Sequence, residues 1–314
     1  MTDLEKLENE FLSQYVFASK LTQEKYKKEI DLFCKISDIK TIENFNNFDC
    51  MEKFYNFAQT HSWKDSTINQ RLLSIKLFYN WGKKRKILNN PFMEDIKKIR
   101  MVNTVKYTPS FEDCEKMLKY IQDHTKKQRL YLMVKLLMFS GFRRSEICNL
   151  RLTDINNINS RIKVVGKGKK IIEQPIPREL LQEIKNYTET ERLENIEKYK
   201  QLGGEDLGYI FVSGIGEKGN SNKNLLNGNK INDAVFYQQI KRYAKLSGIK
   251  NGTLISPHAF RRAIGTEVYN RTKDIKTASE FLRHSNVSTT ERCYVSFNRE
   301  MINETISNIF NENN

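Results

Sequence analysis

Two arginines, two histidines, a lysine and a tyrosine in this chain have the types and spacings that handle a phosphate group. Near the C-terminus stand Pro257-His258-Ala259-Phe260-Arg261-Arg262, then Phe281-Leu282-Arg283-His284-Ser285, then Tyr294. Upstream lies Ser140-Gly141-Phe142-Arg143-Arg144-Ser145-Glu146. Arginine forks grip the non-bridging oxygens of a phosphate, imidazoles carry protons, and a phenol can serve as nucleophile. No cluster of metal-ligating residue types accompanies them. The combination suits phosphoryl transfer through a covalent tyrosyl phosphate.

Taken singly, each residue also has a plainer reading. Arg143 follows Gly141 at a helix restart, where open backbone N–H groups and the helix field favour an anion. It could equally be a surface arginine paired with Glu146. His258 and Arg261 are three residues apart and share one helix face, so they could hold one phosphate together. The alternative is a helix start after Pro257 that carries a half-buried histidine. Arg262 points elsewhere, to solvent or to the backbone of a polyanion. Lys167 sits at a glycine-flanked tip, Gly166-Lys167-Gly168-Lys169-Lys170, from which an ammonium could reach a substrate. Lys163, Lys169 and Lys170 add charge around it, and a solvated basic turn is the plain reading. Tyr294 is one of 14 tyrosines. A phenol with a pKa near ~10 is a poor nucleophile unless cations gather around its anion. Cys293 has no visible histidine partner and reads as packing, and His61 and His124 read as structural or solvated.

These residues need a scaffold, and the hydrophobic pattern outlines one. Residues 1 to about 100 read as helix, with apolar positions at helical spacing in Phe11-Leu12-Tyr15-Val16, Tyr26-Ile30-Phe33, Phe54-Phe57-Ala58 and Ile68-Leu72-Ile75-Phe78-Tyr79. Pro91 marks the end of that region. Residues 101–110 lack a period, contain Pro109 and read as a linker. Phe111 to Gln122 and Gln128 to Phe139 read as helices, and Arg144 to Leu150 as a restart. Arg161 to Val165 and Ile171 to Glu173 read as the two strands of a hairpin around the glycine-flanked lysines. Glu179 to Lys200 reads as one helix, Tyr209 to Ser213 as a short strand, and Gly214 to Asn229 as a loop. The remainder is helical, and Ser288-Thr289-Thr290-Glu291 is a capping-box pattern before Tyr294. The expected fold class is mostly α with a small β-sheet.

Composition narrows the partner. The 314 residues include 53 Lys+Arg against 38 Asp+Glu, a formal net charge of +15. Such an excess fits a polyanion, most simply nucleic acid. An anionic membrane is the competitor, but no long basic amphipathic helix with a bulky apolar face is present. The run Lys83-Lys84-Arg85-Lys86 reads as a nucleic-acid backbone contact or a solvated helix end. Five scattered cysteines, none in a CxxC pair, point to a reducing compartment without disulfides or zinc. The charged start Met1-Thr2-Asp3-Leu4-Glu5-Lys6 is unlike a secretory signal. The apolar run Leu130 to Phe139 is too short and too broken to span a bilayer. A cytoplasmic location is expected.

In order along the chain, these boxes resemble the tyrosine recombinase family, the phage integrases and Xer-type resolvases. Ser140 to Ile147 resembles the family's first arginine box and Gly166 to Lys170 its lysine hairpin. Ser256 to Arg262 resembles the His-x-x-Arg box, and Leu282-Arg283-His284-Ser285 with Ser288-Thr289-Thr290 leads to the nucleophile region. The similarity spans most of residues 105 to 300. Trp81 to Pro91 more weakly resembles the end of the family's helical N-terminal domain.

The resemblance implies roles. Arg143 and Arg261 would clamp the scissile phosphate of double-stranded DNA. His258 and His284 would hydrogen-bond it and help move protons, and Glu146 would support the site. Lys167 would protonate the leaving 5′ oxygen. Tyr294 would attack, giving a 3′-phosphotyrosine without metal, ATP or other cofactor. Lys83, Lys84, Arg85, Lys86, Lys169 and Arg262 would add DNA contacts. The implied plan is a helical core-binding domain over 1–100, a linker over 101–110, and a mixed α/β catalytic domain over 111–295. A C-terminal helix over 296–314 would either fold back on its own domain or, as the resemblance suggests, dock into a neighbouring protomer, and protomers would form a tetrameric synapse on DNA. Type IB topoisomerases share the chemistry, and a DNA-binding protein without catalysis is a further alternative. Two departures stand out: Arg283 occupies a position that is usually glycine, and the interval from His284 to Tyr294 is one residue longer than in the commonest form. Tyr294 is nonetheless the only tyrosine after His284.

Overall fold

The computed structural model describes residues 2–15, 20–46, 49–94, 96, 98–101, 107–166, 171–214 and 228–284. The chain divides into two compact units, Met1–Thr104 and Val105–Asn314. The described secondary structure is mostly helical with one small antiparallel sheet, the expected fold class.

The first unit contains α1 (Asp3–Ser13), α2 (Lys20–Ile36), α3 (Ile42–Phe45), α4 (Asp49–Thr60), α5 (Asp65–Lys84) and α6 (Pro91–Glu94). Thr2 opens α1 with a capping box, its hydroxyl taking the Glu5 N–H while the Glu5 carboxylate takes its own. The apolar positions face inward as rings: Phe11, Phe33, Phe45, Phe54 and Phe78 are all essentially buried. Phe78 receives Phe11 and Phe45 edge-on at 5.3 and 5.5 Å between centroids, contacts worth about 0.5–1.5 kcal/mol each beyond burial. Pro91, expected to mark an end, begins a short helix instead, because proline's missing N–H costs nothing at the first helical position.

The second unit is built around α8 (Gln128–Ser140), whose Leu132, Met133, Val134, Leu136 and Leu137 are all buried. A helix apolar on every side belongs at the centre of a core. It packs against α7 (Phe111–His124), α10 (Arg178–Glu189) and α13 (Pro257–Thr272). Between them come α9 (Arg144–Cys148), α11 (Glu191–Gln201) and α12 (Asp233–Leu246); α14 (Ile275–Phe281) follows. The sheet runs β1 (Ile155–Asn156), β2 (Arg161–Val165), β3 (Ile171–Pro175), with β2 central and antiparallel to both neighbours. Val165 pairs with Ile171 at the last described rung. Ile162 and Val164 turn into the core, the period-two alternation of a half-buried strand.

Two expectations need correction. The helix read over Glu179 to Lys200 is two helices, broken at Thr190, which has φ −119° and ψ −98°. Its hydroxyl donates back to the Asn186 carbonyl at 2.7 Å, the competition with the backbone typical of threonine. Beyond the break, Arg192 is drawn inward to the Tyr209 carbonyl and the Asp206 carboxylate, both at 2.6 Å. Tyr209 to Ser213 forms only isolated bridges, Arg151 with Tyr209 and Val212 with Lys230. Ile210, Phe211 and Val212 are fully buried, so the run was rightly apolar. Its polar groups, however, are met by the Leu150 and Asn229 carbonyls and by Arg129 rather than by a strand.

Candidate active site

The first element of the site is the turn that ends α8. Gly141 has φ +60° and ψ 24°, the left-handed conformation that closes a helix and that glycine adopts without steric cost. The Ser140 hydroxyl accepts the Phe142 N–H at 3.2 Å and donates to the Leu136 carbonyl at 2.5 Å, fixing the turn. Arg143 is then extended and α9 restarts at Arg144. The N–H of Arg143 is engaged, contrary to the expectation of open N–H groups at this restart. It donates to Glu146 Oε2 at 2.7 Å, and the Arg143 guanidinium reaches Glu146 Oε1 at 2.9 Å.

The second element is α13. Ser256 caps it by accepting the Ala259 N–H at 3.3 Å, and Pro257 takes the first turn. This places His258 at the surface and Arg261 in the interior, 4% exposed. Arg261 donates from Nη1 to the Gly141 carbonyl and from Nη2 to the Leu282 carbonyl. One guanidinium thus ties the arginine turn to the end of α14, and this bond assembles the site.

The third element is the turn after α14, which Asp274 caps by accepting the Lys276 and Thr277 N–H groups. The turn closes when the Arg283 N–H reaches the Glu280 carbonyl at 2.9 Å and the His284 N–H the Ser279 carbonyl at 3.0 Å. Arg283 lies at φ +54°. Its Nη2 donates to Glu146 Oε2 at 2.8 Å, and its guanidinium lies 4.9 Å over the Phe142 ring. Glu146 is therefore shared by Arg143 and Arg283. Sequence reading marked Arg283 only as a departure from a pattern; the available signal was a long cation where a glycine was expected.

The phage integrase family pattern matches residues 110–301. The chain belongs to that family. Breaking and rejoining DNA strands is the family's activity, and this chain is a tyrosine recombinase. Curated relatives include tyrosine recombinase XerD of Chlamydia trachomatis serovar D, 27% identical over 90% of this chain and 87% of that protein. Another is tyrosine recombinase XerA of Pyrococcus furiosus, 30% identical over 64% of this chain and 62% of that protein. Among solved structures, the XerH recombinase on palindromic difH substrate, a post-cleavage complex, aligns with a TM-score of 0.67 and 17% identity. It covers 94% of this chain and 82% of that one. A lambda integrase tetramer bound to a Holliday junction aligns at 0.63 and 14%, over 91% and 76%. At such identities these structures speak for the fold.

In this recombinase the histidines sit in a field of arginines. Burial first, then Arg261 and Arg143, hold the His284 pKa down to about 4. His258 is also lowered, by loss of surrounding water and then by Arg261, Arg262, Arg144 and Arg143. Both imidazoles are neutral near pH 7, able to donate one hydrogen bond and accept another. Arg262 holds Tyr107 and Thr108, through the Tyr107 carbonyl at 2.5 Å and the Thr108 hydroxyl at 3.1 Å. In the first unit Lys83 pairs with Glu94, and Arg85 lies 4.2 Å over Trp81 and 3.4 Å from Glu10. Lys84 and Lys86 are exposed. Lys167, Lys169, Lys170, Tyr294 and the expected C-terminal helix lie outside the described residues, as do residues 102–106 of the expected linker and 215–227 of the expected loop. No helix among the described residues is long and apolar enough to cross a membrane.

Proposed function

We propose that this recombinase cuts each strand by attack of the Tyr294 phenol oxygen on the scissile phosphorus, with Arg143 and Arg261 neutralising the phosphoryl oxygens. The P–O5′ bond breaks as the Tyr294–phosphorus bond forms. The phenol proton passes to a neutral histidine, His258 or His284, and Lys167 donates a proton to the departing 5′ oxygen. Rejoining is the reverse attack by a 5′-hydroxyl on the phosphotyrosine. The bond energy is conserved throughout, so no nucleotide cofactor is consumed. Preorganised cations suit a transition state whose charge is spread over phosphoryl oxygens.

The observation that carries this reading is the Arg261 bridge from Gly141 to Leu282. It gathers Arg143, His258 and His284 around one buried cation, the setting in which a phosphodiester gains most from charge. The lambda integrase tetramer on a Holliday junction and the basic composition support a tetrameric assembly of this chain on duplex DNA, in the cytoplasm. The setting would be integration and excision or the resolution of replicon dimers. A duplex nicked near the cleavage point tests the chemistry, because loss of the short flap prevents rejoining. The protein should become covalently trapped, and Tyr294→Phe should bind the same DNA and trap nothing. Trapping by Tyr294→Phe would reject the assignment.

A further inference from the structure

Glu146 is an awkward residue for a site that must accept an anion. Its side chain is 5% exposed, and its carboxylate takes three donors: the Arg143 N–H, Arg143 Nη1 and Arg283 Nη2. The two cations are not equivalent. The Arg143 side chain is 33% exposed and reaches solvent, whereas that of Arg283 is 6% exposed and pinned over Phe142. A phosphate contact that uses Arg143 Nη1 competes with its bond to Glu146 Oε1. Withdrawing the sole cation from a buried carboxylate is strongly unfavourable. A second, immobile cation removes that obstacle.

We propose that Arg283 is the standing counter-ion of Glu146, a positioning residue that lets the Arg143 guanidinium leave Glu146 Oε1 for the scissile phosphate. The inference rests on the reading of Arg143 given above. Two further observations carry it. Arg283 Nε and Nη1 are buried without a hydrogen-bond partner among the described residues, so the fork has spare donors beside Glu146. One of them can take Oε1 when Arg143 departs, converting a single bond into the paired contact at which guanidinium excels. Arg283 also stands at φ +54°, a conformation unfavourable for any side chain-bearing residue. The turn keeps a strained arginine where glycine would fit without strain, and the contacts that offset the strain are Glu146 and Phe142.

The same φ makes the test clean, because Arg283→Gly removes the side chain and relaxes the backbone together. On the nicked duplex, Arg283→Gly should form covalent complex at least about tenfold more slowly, a barrier change of about 1.4 kcal/mol, while its DNA affinity and melting temperature hold. Arg283→Lys, which keeps the charge, should fall between Gly and the parent. The double variant Glu146→Gln/Arg283→Gly should be faster than Arg283→Gly, since a neutral amide neither needs a counter-ion nor retains Arg143. A merely structural role would not give that rescue. Parental rates in Arg283→Gly, a Lys variant no faster than Gly, or no rescue by Glu146→Gln would each overturn the inference. Arg143→Ala run in parallel separates the two levels. Normal trapping by Arg143→Ala would reject the underlying reading and the inference with it. Loss of trapping there, with a silent Arg283, would reject the inference alone.

Discussion

Arg261 donates from one arm of its guanidinium to the carbonyl of Gly141, across 120 positions of chain. The acceptor is a backbone atom whose direction depends on the left-handed turn at Gly141. The position of a buried cation in the site is thus set by a residue with no side chain.

Gly141→Ala should therefore damage both stability and cleavage. A Cβ there would sit 3.0 Å from Phe281 Cε1 and 3.2 Å from Leu282 Cδ2, on a backbone with φ +60°. The left-handed conformation alone costs an L-residue about 1–2 kcal/mol. Calorimetry should show the loss in the transition of the second unit, with slower trapping on nicked DNA. An alanine variant that melts and cleaves like the parent would contradict the role given to the turn.

Lys167→Ala should separate leaving-group protonation from the rest of the chemistry. Cleavage of ordinary DNA should fall severely, because an alkoxide is a poor leaving group. A 5′-bridging phosphorothiolate leaves as a stable thiolate and needs little help, so the variant should cut it almost normally. Equal defects on both substrates would move the acid role to another residue.

His284 should stay neutral well below the usual histidine range. Its pKa is held at about 4 in the fold against an ordinary 6.5. Above pH 6.5 the ring is neutral in both folded and unfolded chains. Between 6.5 and 4 the unfolded chain binds the proton and the fold does not, so stability falls as pH falls through that window. Side-chain nitrogen NMR should report a neutral ring at pH 5.5 in the DNA-free protein, and His284→Gln should flatten part of the acid loss. A His284 midpoint near 6.5 would remove the basis for this.

Glu8 should behave in the opposite sense in the first unit. Burial, then Asp31, raise its pKa from 4.5 to about 7, with Lys27 opposing. Below pH 4.5 both states hold the proton. From 4.5 to 7 the unfolded chain releases it first, so stability falls as pH rises and stays lower above 7. Glu8→Gln should raise the melting temperature of that unit at pH 8 and leave it nearly unchanged at pH 4. A variant equally or less stable at pH 8 would be at odds with a buried, partly protonated Glu8.

Much of this protein could be read from the chain. The 3.6-residue spacing of Phe, Ile and Leu marked the helices of the first unit, because that period alone decides which side of a helix meets the core. The alternation in Arg161 to Val165 marked β2, and the order of the arginine, lysine and histidine boxes marked the family. These are local signals, carried by residues a few positions apart.

What the chain alone left undecided were meetings between distant segments. Whether Arg143 pairs with Glu146 or stands open is not a matter of spacing, since both outcomes fit three residues of helix. Arg283 was visible only as a missing glycine; its partnership with Glu146 exists because Arg261 draws the end of α14 onto the Gly141 turn. The break at Thr190 and the strandless run Tyr209 to Ser213 have the same origin. Past the break Arg192 turns inward to the Tyr209 carbonyl and the Asp206 carboxylate, and in the run the Val212 carbonyl is taken by Arg129 rather than by a neighbouring strand. Periodicity records which residues must be buried. The acceptor that each buried donor finds is decided only when the packed elements bring carbonyls and carboxylates within hydrogen-bond reach, because burial makes an unmet donor too costly to leave.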